Sequence, residues 1–474
     1  MNGPIIRLFG LVVLLFAVLV AFTSRWTVFE AEALRDNPAN RRGLLAEQRI
    51  PRGAIRTADG KLIARSVKGR GDVYSRRYPL GELFGHPVGY SYTTIGRSGL
   101  EASENEVLTG QSDELVTALQ SLVGRRQEGS DIVTTLDSGA QEVARRALQG
   151  RTGAVVALDA DTGGVRVMYS SPGYDPSGLD DTKTYSRLSR DDTARPLVNR
   201  ATFDAFPPGS TFKPVTAAAA LDSGRYQPSS TVSAPSEKVI SGVPLRNFGG
   251  EDFGTIDLTT ALTKSVNTVW AEVGVKLGRR RMQEYMERFG FYEKPELDYP
   301  RGQMIASGVR KRDGLKKVTS DSVDLGRVAI GQGDLAATPL QMAMVAATIA
   351  NDGVRMKPHI VSRIVDPDGR TTDRIRPKRA ARVISADAAR ELAEMMKNVV
   401  REGTGTAAAL EGLEVAGKTG TAEIDIARRI NDPWFIGFVN DTAVAVVVER
   451  VQGGQGGTVA APIAKDVLQA LGER

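Results

Sequence analysis

The chain has 474 residues, 41% of them hydrophobic and 25% charged, so it is long enough for about two or three globular domains. Its net charge is +6, but no basic run with interleaved aromatic residues indicates nucleic-acid binding. The lack of cysteine excludes a thiol nucleophile, disulfides and thiolate metal sites. The two histidines, His86 and His359, stand beside prolines without metal-ligand spacing, and we expect both to be surface or loop residues. A serine enzyme with this sequence would therefore need a base other than histidine.

The N-terminus carries an apolar run from Ile5 to Ser24 that is broken only by Arg7. This run is long enough to span a bilayer. A cleaved signal peptide is the alternative, but the run is long for one, and the nearest Ala-x-Ala motif, at Ala31 to Ala33, lies well past its end. We therefore predict that residues 1–26 form a short tail and an uncleaved anchor. Arginines on both sides of the run leave the orientation open on charge alone.

Residues 27–129 are weakly periodic and contain no catalytic constellation, so we predict a pedestal domain there. Within it, an Asp59-Gly60 turn between two apolar segments predicts a hairpin. For residues 130–474 we predict a mixed α/β (α+β) domain. Strands at both ends form a central antiparallel sheet flanked by helices, and the insert between them is an all-helical subdomain. The predicted strands are Asp131 to Asp137, Gly153 to Asp159, Val165 to Tyr169, Val361 to Val365, Leu413 to Thr421, Trp434 to Val439 and Ala443 to Glu449. The predicted helices are Ala140 to Leu148, several between Ser210 and Ala350, Ala386 to Val400 and Ile463 to Leu471, with a polar loop from Pro172 to Phe206.

A turn rich in proline and glycine precedes one of these helices. The segment Val215 to Leu221 is a strong helix former, so Ser210 lies where the helix begins. Lys213 follows one turn later on the same face. A hydroxyl and an amine side by side at a helix N-terminus favour a serine nucleophile activated by a lysine base. A Ser-x-x-Lys pattern alone is a weak signal, and its weight depends on the rest of the chain.

A second segment, Lys264 to Trp270, joins two predicted helices. It presents Ser265 and Asn267, and the functional interpretation is a hydroxyl and an amide that face a cleft together. The competing explanation for Asn267 or Thr268 is an ordinary helix cap.

A third segment is a predicted strand that contains Lys418 and Thr419, which offer a cation and a hydroxyl to a carboxylate. Gly417 and Gly420 leave room for a ligand beside this strand. The stretch from Gly412 to Thr419 also matches the pattern of a phosphate-binding loop, which requires a helix straight after the threonine. Because the predicted strand runs through the lysine, we predict that this match is accidental. We expect no chemistry from the flexible turn Gly453 to Gly457.

The three motifs Ser-x-x-Lys, Ser-x-Asn and Lys-Thr-Gly occur here in the chain order found in penicillin-binding proteins and serine β-lactamases. With this layout, the sequence resembles a class B penicillin-binding protein, a monofunctional peptidoglycan D,D-transpeptidase of the short PbpA type, over nearly its whole length. Arg52-Gly53, Asp59-Gly60 and Gly99-Leu100-Glu101 resemble the pedestal motifs of that family, and the segment Gly331 to Leu335 resembles one wall of its active site.

The resemblance implies a role for each motif residue. Ser210 attacks the substrate carbonyl, and Lys213, whose pKa burial and the Lys418 charge would lower, accepts its proton. Ser265 relays the proton to the leaving amine, and Asn267 orients Lys213 and the substrate amide. The implied substrate contacts are Lys418, Thr419, Gly420, Thr421, Gln332 and Gly333, and the implied oxyanion hole consists of the backbone N–H groups of Ser210 and Thr421.

The reaction that the resemblance implies is acyl transfer from D-alanyl-D-alanine stem peptides to an acceptor amine, in division or in cell-shape maintenance, without a metal or organic cofactor. The implied partners are peptidoglycan stem peptides, β-lactam antibiotics and a membrane glycan polymerase of the shape, elongation, division and sporulation (SEDS) family, with no nucleic acid. In this family the chain would be anchored in the cell membrane, the short tail within residues 1–26 would be cytoplasmic, and the catalytic domain would lie outside the cytoplasm. The alternatives are a D,D-carboxypeptidase or β-lactamase-like hydrolase, and an inactive cell-wall scaffold or β-lactam receptor. A β-lactamase would need a water-activating base, and we expect Glu272 and Glu287 to be exposed helix charges instead.

Overall fold

A computed structural model describes residues 3–25, 47–111 and 127–472 of the chain. The apolar run forms a 22-residue helix, Gly3–Ser24, with a mean hydropathy of 2.9 and no buried residue. Within the described residues it is the one helix long and apolar enough to cross a membrane. The Ala31 to Ala33 motif lies outside the described residues. The helix fits the predicted membrane anchor.

A six-stranded sheet, here called the pedestal sheet, contains the predicted hairpin. Ile55 pairs with Ala64 and Arg56 with Leu62, on either side of the Asp59-Gly60 turn. The strand predicted from Asp131 to Asp137 ends at Thr134, because the Asp137 carboxylate accepts a hydrogen bond from Ala140 N–H and caps the next helix. In spatial order the strands are Thr371–Arg374, Val361–Val365, Asp131–Thr134, Ile55–Arg56, Leu62–Lys68 and Tyr74–Arg77, so the sheet includes residues on both sides of position 130.

An ion cluster holds this part of the chain together. Glu101 is completely buried and accepts hydrogen bonds from Arg52 at 2.9 Å and Arg76 at 2.5 Å. Burial would raise the pKa of Glu101, but the charges of Arg76 and Arg52 hold it below its ordinary value. Gly53 lies beside the cluster, where an added Cβ would come within 1.8 Å of Ser130 O. These contacts explain the Arg52-Gly53 and Glu101 motifs as structural features.

The central sheet is antiparallel and is built from both ends of the second half of the chain, as the sequence predicts. Its residues are almost entirely buried, because helices cover both faces. The short strand Val451–Gln452 extends one end of it. The order of the main strands is Ala416–Asp425, Ile430–Val439, Thr442–Val448, Gly153–Asp159 and Val165–Ser171.

The helices around the sheet agree with the prediction in most places. The segment Pro172 to Phe206, predicted to be a loop, contains a helix, Thr182–Ser189, whose first turn is capped by Asp181. The central insert, expected to be all-helical, also carries short strands. The helices are Gly85–Val88, Gly99–Ser103, Asn105–Thr109, Ser138–Leu148, Thr182–Ser189, Lys213–Asp222, Leu258–Thr263, Asn267–Leu277, Arg279–Arg288, Leu325–Ala329, Pro339–Ala350, Ala386–Arg401 and Ala461–Gly472. The small strands are Ser91–Tyr92, Gly96–Arg97, Thr231–Ser233, Glu237–Ile240, Val243–Arg246, Thr255–Asp257, Gly308–Lys311, Gly314–Lys316, Leu335–Ala336, Val354–Met356 and Arg379–Arg382.

Candidate active site

The helix Lys213–Asp222, here called the serine helix, is buried among the helices Asn267–Leu277, Ala386–Arg401 and Arg279–Arg288. A 3₁₀ turn, Gly209–Phe212, leads into it, so Ser210 lies in the turn before the helix and remains half-buried. Pro214 occupies the first helical turn, where the absence of an N–H group costs no hydrogen bond. The sequence thus places Ser210 and Lys213 one turn apart, as predicted.

Glycines bring three loops together at the serine. Gly209 has a φ of 52° and donates its N–H to Gly331 O at 3.0 Å. A Cβ at Gly331 would lie 1.8 Å from Gly209 O, and a Cβ at Gly420 would lie 2.7 Å from Pro208 O. The backbone of the serine turn therefore lies directly against the loop at Gly331 and the strand at Gly420.

Lys213 is completely buried, and its amine points away from solvent into the Ser-x-Asn segment. Its Nζ donates to Ser265 O at 2.6 Å and to Asn267 Oδ1 at 2.7 Å, and it lies 3.1 Å from Ser265 Oγ. Burial and the charge of Lys418 hold the pKa of Lys213 well below its ordinary value. A neutral amine has two N–H donors for the first two acceptors and one lone pair, which is what a general base requires.

Lys418 also contacts the Ser265 hydroxyl. Its Nζ donates to Ser265 Oγ at 2.9 Å and to Thr419 O at 3.0 Å. Its side chain is completely buried, and burial lowers its pKa to about 7. Ser265 Oγ therefore bridges two buried amines.

The backbone around Ser265 is set by the turn between two helices, Leu258–Thr263 and Asn267–Leu277. Ser265 has a φ of 58°, in the left-handed region that a residue with a Cβ enters at a cost of about 1–2 kcal/mol. Asn267 does not cap the helix. Its Oδ1 accepts from Lys213, and its Nδ2 donates to Arg246 O at 3.1 Å, so the competing explanation of a helix cap is wrong for this residue.

The strand Ala416–Asp425, here called the lysine strand, passes through the Lys-Thr-Gly motif. It pairs with Ile430–Val439 and begins three residues later than the strand predicted from Leu413. No helix follows Thr419, so the structural context of a phosphate-binding loop is absent from this described segment. Thr419 and Thr421 instead continue along the same strand as Lys418.

Ser210 Oγ makes no hydrogen bond within the described part of the chain, so the hydroxyl is not yet engaged with Lys213. Such contacts often tighten only when substrate binds. Gln332 is half-buried and Gly333 is exposed, on the loop that Gly331 fixes against Gly209. Their expected contact with substrate stays a prediction.

Three groups near the site were not found from the sequence. Thr404 Oγ1 lies 2.5 Å from Thr419 Oγ1, and Gly456 N–H donates to Thr421 Oγ1 at 3.2 Å. Arg246 O receives the Asn267 amide. In the sequence, Gly403, Gly405 and Gly456 indicate places where another part of the backbone can pack closely. They do not indicate which strand packs there. The turn at Gly453 to Gly457 therefore contacts Thr421 through its backbone, and its expected lack of chemistry stays a prediction.

Other candidate residues take ordinary structural places. His86 was expected at the surface or in a loop but is only 4% exposed, lies in the Gly85–Val88 helix and pairs through Nε2 with Pro196 O at 2.9 Å. Glu272 was expected to be an exposed charge but is half-buried, with ion pairs to Lys238 at 2.7 Å and Lys276 at 3.0 Å. Glu287 is exposed, as expected.

No group of three or more histidine or acidic side chains within the described ranges is arranged to hold a metal ion. The sheet with its helical insert, and the serine turn beside two buried lysines, define the class of serine enzymes that use a lysine rather than a histidine as base.

Comparison with known proteins agrees with this class. Residues 153–469 match the penicillin binding protein transpeptidase domain, and residues 52–132 match the penicillin binding protein A dimerisation domain. The chain belongs to the penicillin-binding protein transpeptidase family.

Relatives match along almost the entire chain. The peptidoglycan D,D-transpeptidase PbpA of Mycolicibacterium smegmatis is 35% identical and that of Mycobacterium tuberculosis 33% identical, each over 99% of both chains. The structure of M. tuberculosis penicillin-binding protein A as a ceftriaxone acyl-enzyme complex aligns with a TM-score of 0.80 and 32% identity, over 90% of this chain and 99% of that one. The D,D-transpeptidase domain from Eggerthella lenta aligns with a TM-score of 0.78 and 34% identity, over 90% of this chain and 99% of that one.

Proposed function

We propose that this protein is a peptidoglycan D,D-transpeptidase that crosslinks stem peptides by serine acyl transfer and is acylated by β-lactams. The observation that carries the proposal is the Ser265 hydroxyl held between two buried amines, Lys213 at 3.1 Å and Lys418 at 2.9 Å, beside the Ser210 turn. Membership of the family and full-length relatives with this named activity support it.

The proposed chemistry follows from the protonation of the two lysines. Neutral Lys213 accepts the proton of Ser210 as its oxygen attacks the carbonyl of the penultimate D-alanine. Ser265 passes a proton to the nitrogen of the leaving D-alanine, and the C–N bond breaks to leave an acyl-Ser210. An amine of a second stem peptide then attacks the acyl group, returns its proton through the same groups and releases the crosslinked product.

The proposed substrate contacts lie around the developing charges. The N–H groups of Ser210 and Thr421 form the oxyanion hole, and the abutting backbones at Gly209 and Thr421, where a Cβ on Gly209 would lie 3.2 Å from Thr421 O, support this pairing. Protonated Lys418 and the Thr419 hydroxyl bind the terminal carboxylate. Gly420, Gln332 and Gly333 are proposed to line the substrate cleft.

The test is a reaction of the purified protein with a stem pentapeptide donor and a stem peptide that carries a free acceptor amine. Mass spectrometry should detect one D-alanine released for each crosslinked dimer formed. Release of D-alanine without any dimer, at saturating acceptor, would contradict transpeptidation and favour a carboxypeptidase.

For the membrane context we propose a single-pass protein with its N-terminus in the cytoplasm and the catalytic part outside it. The Gly3–Ser24 helix and the extracytoplasmic location of peptidoglycan support this orientation. Protease added to intact spheroplasts should digest the region after the helix. Full protection of that region would contradict the orientation.

We further propose a division into an anchor of residues 1–26, a pedestal of residues 27–129 and a transpeptidase domain of residues 130–474. The separate matches to residues 52–132 and 153–469 support it.

We also propose that the chain works with a SEDS-family glycan polymerase, because neither matched domain is a polymerase. Purified protein given lipid-linked precursor alone should make no glycan strands, and strands formed without a partner would overturn this pairing.

A further inference from the structure

Thr404 lies at the edge of the active site without belonging to any of the three motifs. Its Oγ1 is 2.5 Å from Thr419 Oγ1, and Thr404 is exposed whereas Thr419 is only 6% exposed. We propose that Thr404 is a positioning residue that directs the Thr419 hydroxyl proton toward the carboxylate of the substrate. This inference rests on the proposed function.

The backbone at Thr404 is fixed by neighbouring glycines, at whose positions a side chain would not fit. A Cβ at Gly403 would lie 2.5 Å from Thr263 O, and a Cβ at Gly457 would lie 2.4 Å from Thr404 O. Gly405 N–H donates to Val399 O at 2.9 Å and ends the helix Ala386–Arg401. Thr404 is therefore clamped between the end of this helix and the turn at Gly457, so the contact with Thr419 is built into the fold.

The chemistry of the pair follows from the single proton on each hydroxyl. If Thr419 donated to Thr404, it would have no proton left for a carboxylate. If Thr404 donates instead, Thr419 accepts that hydrogen bond, keeps its own proton free, and becomes a better donor through cooperative polarisation. An anionic ligand selects the second arrangement, and the fixed position of Thr404 makes this arrangement available before the ligand arrives.

The consequence is a preference for ligands with a free carboxylate. Lys418 supplies charge to that carboxylate, and the Thr404–Thr419 pair supplies a hydrogen bond of fixed direction. The hydrogen bond between Thr404 and Thr419 is itself neutral, and the loss of a neutral hydrogen bond lowers affinity about threefold to tenfold. The effect should appear in the binding constant and leave the rate of the acylation step unchanged.

The experiment compares acylation by benzylpenicillin with acylation by its methyl ester, which lacks the anion. The variants are Thr404→Val, which removes the hydroxyl at nearly constant shape, and Thr404→Ser, which keeps it. Thr458→Val is the matched control, since Thr458 is an exposed threonine on the neighbouring turn whose hydroxyl bonds to Gln455 O. Melting temperatures establish that each variant is folded.

For benzylpenicillin, Thr404→Val should weaken the apparent binding constant about threefold to tenfold with an unchanged limiting rate, while Thr404→Ser and Thr458→Val match the wild type. For the ester, the loss should disappear. In a Thr419→Val background, Thr404→Val should have no further effect. An equal loss with both ligands, a loss in the limiting rate alone, or no loss at all would overturn the role of Thr404. Failure of the wild type to be acylated would instead overturn the proposed function.

Discussion

At Ser265, one pair of substitutions separates the chemical effect of losing the hydroxyl from the effect of backbone strain on stability. Ser265 has a φ of 58°, where glycine is unstrained and alanine is not, so Ser265→Gly should be about 1–2 kcal/mol more stable than Ser265→Ala. Both substitutions remove the hydroxyl that lies 3.1 Å from Lys213 Nζ and 2.9 Å from Lys418 Nζ. The two variants therefore differ in stability and share the same chemical defect.

The expected loss is that of a proton-transfer group, about 100-fold to 10,000-fold in the rate of Ser210 acylation. The assay is stopped-flow acylation by a chromogenic or fluorescent β-lactam, with melting temperatures measured in parallel. Ser241 provides a matched control, since it is an exposed serine with a φ of 53° outside the site, and Ser241→Gly should leave acylation unchanged. Acylation by Ser265→Gly within about threefold of the wild type would refute the relay through Ser265.

Two further results are expected. Burial lowers the pKa of Lys418 to about 7, so Lys418 loses its charge as the pH rises through that value. The kcat/KM for a carboxylate substrate should therefore fall on the alkaline side of the pH profile. On the acidic side, kcat/KM should rise as Lys213, whose pKa is also lowered, loses its proton and becomes a base. Lys418→Arg should remove the alkaline decrease in kcat/KM, since arginine stays charged. An unchanged decrease in this variant would show that another group causes it. Gly331→Ala would place a Cβ 1.8 Å from Gly209 O at a φ of 80°, so melting temperature and acylation should both drop. Gly302→Ala, with open space around the site of substitution and an ordinary φ, should match the wild type, and equal behaviour of the two variants would contradict the packing argument.

The sequence predicts the elements that carry the three motifs well because their signals are local. Pro214 and the following alanines determine the serine helix, and the spacing between Ser210 and Lys213 is fixed by one helical turn. The strand through Lys418 follows from its alternating, β-branched surroundings and from its pairing partner at Trp434 to Val439.

What the sequence does not predict depends on contacts between distant segments. The burial of His86 results from packing against the segment at Pro196 and Tyr174. The approach of Thr404 to Thr419 depends on how the end of a helix meets the lysine strand. The short strands in the helical insert, such as Glu237–Ile240 with Val243–Arg246, have only local partners and weak periodicity.

The most direct test of the account is the identity of the acylated residue. After incubation with benzylpenicillin, intact-mass measurement of the wild type should show one penicilloyl group, and peptide mapping should place it on Ser210. We predict a long-lived adduct, because the leaving group stays tethered and blocks an incoming amine. Hydrolysis would need a base that activates water. Glu272 is ion-paired to Lys238 and Glu287 is exposed, so we expect neither to serve as that base. Ser210→Ala should carry no adduct, and Lys213→Ala should acylate far more slowly. An adduct that persists in Ser210→Ala, or rapid penicillin hydrolysis with no trapped adduct, would contradict the central claim.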